Sequence, residues 1–290
     1  MSAEDQGMKE EEPLYVDGGK GRRGSGSWWR VLLIVFLFYV MGIVVLILTG
    51  NPNIFPTVVM LGNCMVPASY VAFFYERRHL SSLTMPMTTM SFFYGGVLSI
   101  FTAALFEPFL IADLNFFTAF EAGLIEEFAK ILGVWVIARR WRHDSALDGL
   151  ILGAAAGMGF AAMESTGYAF TAFLRSHGNL SVTVAITLLR GILSPLGHGT
   201  WTAIVAGVLF RESEAQHFRL NRKVIGALSV VVILHGLWDG LPGLISSLTL
   251  SGANILIGNS VVGAIGLFLL WRLWKEARMV QLSRLLPPGP

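Results

Sequence analysis

The sequence predicts an all-α fold: a polytopic membrane helix bundle of about eight transmembrane helices, with both termini cytoplasmic. Three observations carry that expectation. Of 290 residues, 54% are hydrophobic and only 14% charged, with a mean hydropathy of +0.63, so a soluble domain of this size has too few charges to cover its apolar surface. Apolar runs of about 20 residues, the length that crosses a bilayer, recur along the chain. Lys and Arg gather in alternate connections between those runs, the pattern that positive cytoplasmic loops impose on an even number of spans.

The runs fall at residues 30–49, 54–75, 90–108, 116–138, 147–173, 183–210, 223–247 and 254–274. Residues 1–27 are acidic at Glu10, Glu11 and Glu12, then rich in Gly, Arg and Ser. They lack a core-forming pattern and are expected to be a disordered cytoplasmic tail. Acidic residues ahead of the first run, and no small-residue cleavage site after it, argue for a retained anchor over a signal peptide. The third run is the shortest and ends at Glu107-Pro108. The fifth places Gly149, Gly153 and Gly157 at a spacing that lets helices approach closely.

Basic residues test this layout independently. Lys20, Arg22, Arg23 and Arg30 precede the first run; Arg77 and Arg78 follow the second; Arg139, Arg140 and Arg142 follow the fourth. Arg211, Arg219, Arg222 and Lys223 follow the sixth, and Arg272, Lys275, Arg278 and Arg284 the eighth, whereas the opposite connections hold only Arg175. The bundle is expected over residues 28–276, with a short cytoplasmic tail at 277–290. All connections are short, so function must reside in the helices. The single cysteine, Cys64, lies in an apolar run, which excludes a disulfide framework and a thiolate metal cluster. The net charge of +2 decides nothing by itself.

Ionisable residues inside the runs are the informative ones, because a charge at bilayer depth costs at least about 2.5–3.5 kcal/mol and is retained for function or for an interhelical lock. The fourth run holds Glu126, Glu127 and Lys130. At spacings i,i+4 and i,i+3 the lysine can partner either glutamate, while the two carboxylates point about 100° apart. The fifth holds Glu164, four residues after Phe160. In the sixth, Pro195 and Gly197 loosen the helix just before His198; Arg190 there either reaches the interface or pairs with a carboxylate. The seventh places His235 and Asp239 one turn apart, a spacing that suits two ligands of one ion or an imidazole oriented by a carboxylate. Depths counted at about 1.5 Å per residue are compatible with one pocket between the midplane and the outer leaflet. His79, His143, His177 and His217 fall in connections and are expected to be solvated.

Taken in order, Glu126-Glu127-xx-Lys130, Phe160-xxx-Glu164, His198 and His235-xx-Trp238-Asp239 resemble the PrsW family of intramembrane proteases over residues 116–245. That family is grouped with the CAAX prenyl endoproteases and the Aph subunit of gamma-secretase. The resemblance implies a bacterial, multi-pass cell-membrane peptidase that makes the first cut in a membrane-spanning anti-sigma factor. It implies that Glu126 and Glu127 are catalytic, one of them activating water, with Lys130 and Glu164 in the same machinery. His198, His235, Asp239 and Glu164 would then bind a divalent metal, zinc being the expected ion, or stabilise the oxyanion. CAAX enzymes carry a histidine where Glu164 stands and an asparagine where Asp239 stands, which favours PrsW. The zinc signature HExxH is absent, so any metal site is assembled across helices. The expected partners are a single-pass membrane protein as substrate and the lipid bilayer; no nucleic acid is expected. A non-catalytic scaffold and an ion or proton transporter are the alternatives. The paired glutamates speak against the first, and the lack of an internal repeat against the second.

Overall fold

A computed structural model describes residues 27–113, 115–139, 145–214, 217–248 and 252–285, and every regular element among them is helical. The tail expected at 1–27 lies, apart from Ser27, outside the described residues, as do Arg140, Arg142 and His143. Ten α-helices follow one another: α1 Trp28–Thr49, α2 Phe55–Glu76, α3 Met85–Met90, α4 Gly96–Leu110, α5 Thr118–Ala138, α6 Ala146–Arg175, α7 Leu180–Leu193, α8 His198–Glu212, α9 Arg222–Leu248 and α10 Gly252–Leu285.

Among the described residues, seven stretches are long and apolar enough to cross a bilayer. They are α1, Pro52–Glu76, Met85–Leu110, α6, Leu180–Glu212, Arg222–Ser246 and Ile257–Leu285. The eighth expected span is α5. Its 21 residues reach about 31 Å, but Glu121, Glu126, Glu127 and Lys130 interrupt its apolar character. The fold is an all-α polytopic membrane bundle.

Two expected spans are broken, each for a local reason. In Met85–Leu110 a π turn over Ser91–Gly95 joins α3 to α4. There the backbone presses on α6: a Cβ at Gly159 would overlap the Phe92 carbonyl, and Ser91 Oγ donates to Leu152 O at 2.8 Å. In Leu180–Glu212 a 3₁₀ turn over Ser194–Leu196 leads to Gly197, whose φ of −112° and ψ of −120° leave the helical region. His198 therefore opens α8, and the Thr200 hydroxyl donates back to Pro195 O at 2.6 Å.

The central post is α6. Of its most apolar window 89% is buried, against 11% for α1, so α1 faces lipid while α6 is wrapped by protein. Gly149, Gly153 and Gly157 allow that wrapping: a Cβ at each would collide with the α8 residues Ala206, Thr202 and His198 in turn. Between lipid-like apolar faces, such close packing replaces the hydrophobic drive that water would supply. Ser99 Oγ donates to Ala129 O at 3.1 Å and ties α4 to α5, while Gly123 and Gly236 bring α5 and α9 into contact. The last helix continues beyond the expected end of its span into the residues assigned to a tail. Ala277 is buried there and Gln281 Nε2 donates to Ser145 Oγ at 2.5 Å.

Candidate metal centre

Four spans deliver the polar residues to one level of the bundle. On α5, Glu126, Glu127 and Lys130 share a face of one helical turn. The break at Gly197 places His198 at the start of α8, where Gly157 of α6 lets it sit close. Gly123 meets the His235 side chain across the α5–α9 contact, and Glu164 approaches from α6.

Lys130 organises the cluster. Its ammonium has three hydrogens and donates all three, to Glu126 Oε2, Glu127 Oε1 and His198 Nδ1, each at 2.9 Å. The Phe160 ring lies 3.8 Å from Nζ, a cation–π contact on its remaining side. Lys130 and Glu127 are fully buried. Glu127 also accepts from Thr202 Oγ1 at 3.2 Å, through Oε2.

Donor logic fixes the imidazoles. An ammonium only donates, so His198 Nδ1 is the lone-pair nitrogen and Nε2 carries the hydrogen, which goes to Glu164 Oε2 at 3.1 Å. The carboxylate of Glu127 only accepts, so His235 donates from Nδ1 at 3.0 Å, and the neutral ring that binds a metal has its lone pair on Nε2. Both rings are thus oriented by a carboxylate on one nitrogen and present the other inward, as metal-binding histidines do.

The inward atoms fit a divalent cation, which would take Glu126 Oε2 and His198 Nδ1 over from the Lys130 ammonium. One ligand atom from each of Glu126, His198 and His235 lies within 4.8 Å of the other two. Glu126 Oε2 stands 3.9 Å from His198 Nδ1 and 3.7 Å from His235 Nε2, near the roughly 3.3–3.5 Å that ligands about 2.0–2.2 Å from a tetrahedral zinc keep between them. Among the described residues the buried His235 Nε2 makes no ring hydrogen bond; Asp239 Oδ2 lies 3.1 Å from it as an ion-pair neighbour. Charge tells the same story. Among the described residues Glu126, Glu127, Glu164 and Asp239 pair only with Lys130 and Arg190 as permanent cations, so with neutral histidines these six side chains sum to −2, which one divalent ion balances.

All seven expected residues meet here, in different positions. Glu126, His198 and His235 form the group able to hold a metal. Glu164, expected among the ligands, sits on the outward nitrogen of His198, and Asp239 stands beside His235 at the edge of the group. Glu127 and Lys130 lie behind them, out of reach of solvent. Arg190 pairs with Glu164, its Nη2 donating to Oε2 at 2.6 Å. A cavity of about 250 Å³ opens from His198 and Asp239 past Arg190 and Trp238 to Asn259, whose amide oxygen is buried and unbonded. Sequence reading missed Thr202, Ser165 and Asn259, uncharged polar residues in apolar helices whose only signal is their depth.

Comparison with known proteins agrees with this geometry. The model of the PrsW family of intramembrane metalloproteases matches residues 84–271, which takes in every residue of the cluster. The chain is 26% identical over 188 residues to "Protease PrsW" of Halalkalibacterium halodurans, covering 63% of this chain and 82% of that relative. No solved structure matches. With the family model spanning well over half of a multi-pass bundle that assembles a Glu/His/His group inside the membrane, this chain belongs to the PrsW family of intramembrane metalloproteases.

Proposed function

We propose that this protease uses zinc, held by Glu126, His198 and His235, to cut a single-pass membrane protein near the outer boundary of its span. The observation that carries the reading is the convergence of Glu126 Oε2, His198 Nδ1 and His235 Nε2, in a cluster two positive charges short of neutrality. A mixed nitrogen and oxygen donor set of three suits a catalytic zinc, which keeps one further position open. Such an ion brings the pKa of a bound water to about 7 and polarises a carbonyl.

The chain's own residues divide the remaining work by exposure. Asp239, 36% exposed, borders the cavity and is placed to take the proton of an attacking water. Glu127 keeps the His235 ring in place, Glu164 the His198 ring, and Lys130 neutralises the carboxylates from beneath. The cavity meets the cluster at His198 and Asp239, where a locally unwound substrate segment exposes its peptide bonds. By family resemblance the physiological substrate is an anti-sigma factor.

The test is a single-pass reporter tagged at both ends and produced with the wild-type chain or with His198→Ala. The wild type is expected to release a fragment cut near the outer end of the reporter's span, and the variant to leave it whole. Identical fragments from both would overturn the assignment.

A further inference from the structure

Arg190 is the one cation of the cluster outside α5. It stands in α7, a helix with no other charged residue, and three groups of a single neighbouring helix, α6, hold it. Its Nη2 donates to Glu164 Oε2 at 2.6 Å, its Nε to Ser165 Oγ at 3.1 Å, and its guanidinium lies 4.0 Å over the Tyr168 ring. The oxygen it grips is the same Oε2 that receives the Nε2 hydrogen of His198. Guanidinium, carboxylate and imidazole therefore form one line that ends at the inward nitrogen of His198.

Apart from the Lys130 bond to His198 Nδ1, each link has little else to fix it. A glutamate side chain has three rotatable bonds, and among the described residues the Glu164 carboxylate has only Arg190 and His198 as hydrogen-bond partners. The His198 ring is flanked by Phe160, Trp201 and His235 at centroid distances of 5.1, 5.5 and 5.1 Å. Those contacts limit its tilt but do not choose between its nitrogens, because the second side-chain torsion of histidine is broad and roughly two-fold. Lys130 makes that choice through Nδ1 while no ion is bound. An ion at Nδ1 displaces that bond, so in the loaded site the choice rests on Glu164, and Arg190 holds Glu164 where it can make it.

We infer that Arg190 is a positioning residue of the metal centre: by anchoring Glu164 it keeps the His198 ring turned so that Nδ1 faces the ion. The inference rests on the reading of His198 as a metal ligand. A plain tie between α6 and α7 would use the same ion pair but would leave metal affinity untouched once the helices are packed.

The experiment is a titration of the full-length, detergent-purified protein with zinc ion against a competing chelator, with helix content checked by circular dichroism. Arg190→Met keeps the length and apolar packing of the side chain and is expected to weaken zinc binding about 10–100-fold, the usual effect of losing an outer partner of a ligand. Arg190→Lys should recover most of that loss. In a Glu164→Ala background, Arg190→Met should add less than about threefold, since the carboxylate it acts through is gone. Wild-type affinity in Arg190→Met, or a full additional loss in the Glu164→Ala background, would overturn the inference. Should Arg190→Met not fold, Arg190→Gln takes its place in the same titration: a loss of about 10–100-fold in zinc affinity is expected, and wild-type affinity would overturn the inference. A wild type that binds no zinc would instead refute the metal reading itself, and the wild-type arm shows that separately.

Discussion

Lys130 is the residue on which the cluster's charge balance turns. It is fully buried, and its three hydrogen bonds leave it no route to a substrate, so its work is to neutralise. Removing one partner of a buried ionic group strands the others, at a cost of about 3–5 kcal/mol. Lys130→Met is therefore expected to lower the thermal midpoint of the metal-free protein sharply, and zinc should restore much of the loss by offering the same carboxylates another cation. A loss that zinc does not touch would separate the lysine from the metal site. The local half of this arrangement was legible in the sequence, because i,i+3 and i,i+4 spacing dictates that Lys130 meets Glu126 and Glu127. Its tertiary half was not. Nothing in the order of residues says that Thr202 caps Glu127, or that Arg190 ends on Glu164 instead of reaching the interface, since both depend on how helices rotate about their axes.

At the scale of elements, the contact between α6 and α8 sets the position of His198. Gly153 and Gly157 lie against the α8 backbone, and a Cβ at Gly157 would overlap the His198 carbonyl oxygen. Gly157→Ala forces the helices apart at the level of the site, and overpacking of this kind costs about 1–3 kcal/mol. Gly167, on the same helix, has nothing within 4 Å of its virtual Cβ. Gly167→Ala is therefore expected to be neutral or to gain up to about 1 kcal/mol from helix propensity. Thermal unfolding with and without zinc checks the pair: Gly157→Ala should lower both the midpoint and the shift that zinc produces, and Gly167→Ala neither. Equal behaviour of the two would mean that the contact does not set the site. The glycine spacing announced close packing in the sequence, and the Pro195–Gly197 pair announced a loosened helix. The π turn at Ser91–Gly95 had no such signal, because it arises where two backbones meet, at Phe92 and Gly159.

For the whole molecule, orientation in the membrane decides where the substrate is cut. The basic connections at Arg77 and Arg78, at Arg139, at Arg211 to Lys223 and along the end of α10 lie on one side of the bundle by the alternation of spans, which the preference for positive cytoplasmic loops assigns to the cytoplasm. Counted from those ends at about 1.5 Å per residue, His198 lies roughly 21 Å deep, Asp239 roughly 26 Å and Glu164 roughly 27 Å. Against a hydrocarbon core of about 30 Å, the cavity end of the cluster falls in the outer half, while Glu127, roughly 17 Å from the inner end of α5, lies near the midplane. Asp239 and Arg190 agree with this, for partly exposed charges at bilayer depth require a polar cavity instead of lipid around them. In a Cys64→Ala background, a cysteine at Ser181, at the start of α7, should react with a membrane-impermeant maleimide in intact cells. One at Ser283, near the end of α10, should react only after the membrane is permeabilised. The opposite pattern would turn the cavity toward the cytoplasm and move the expected cut to the inner boundary of the substrate. The metal centre would stay as described, because its geometry depends on how the helices pack and not on which way the bundle faces.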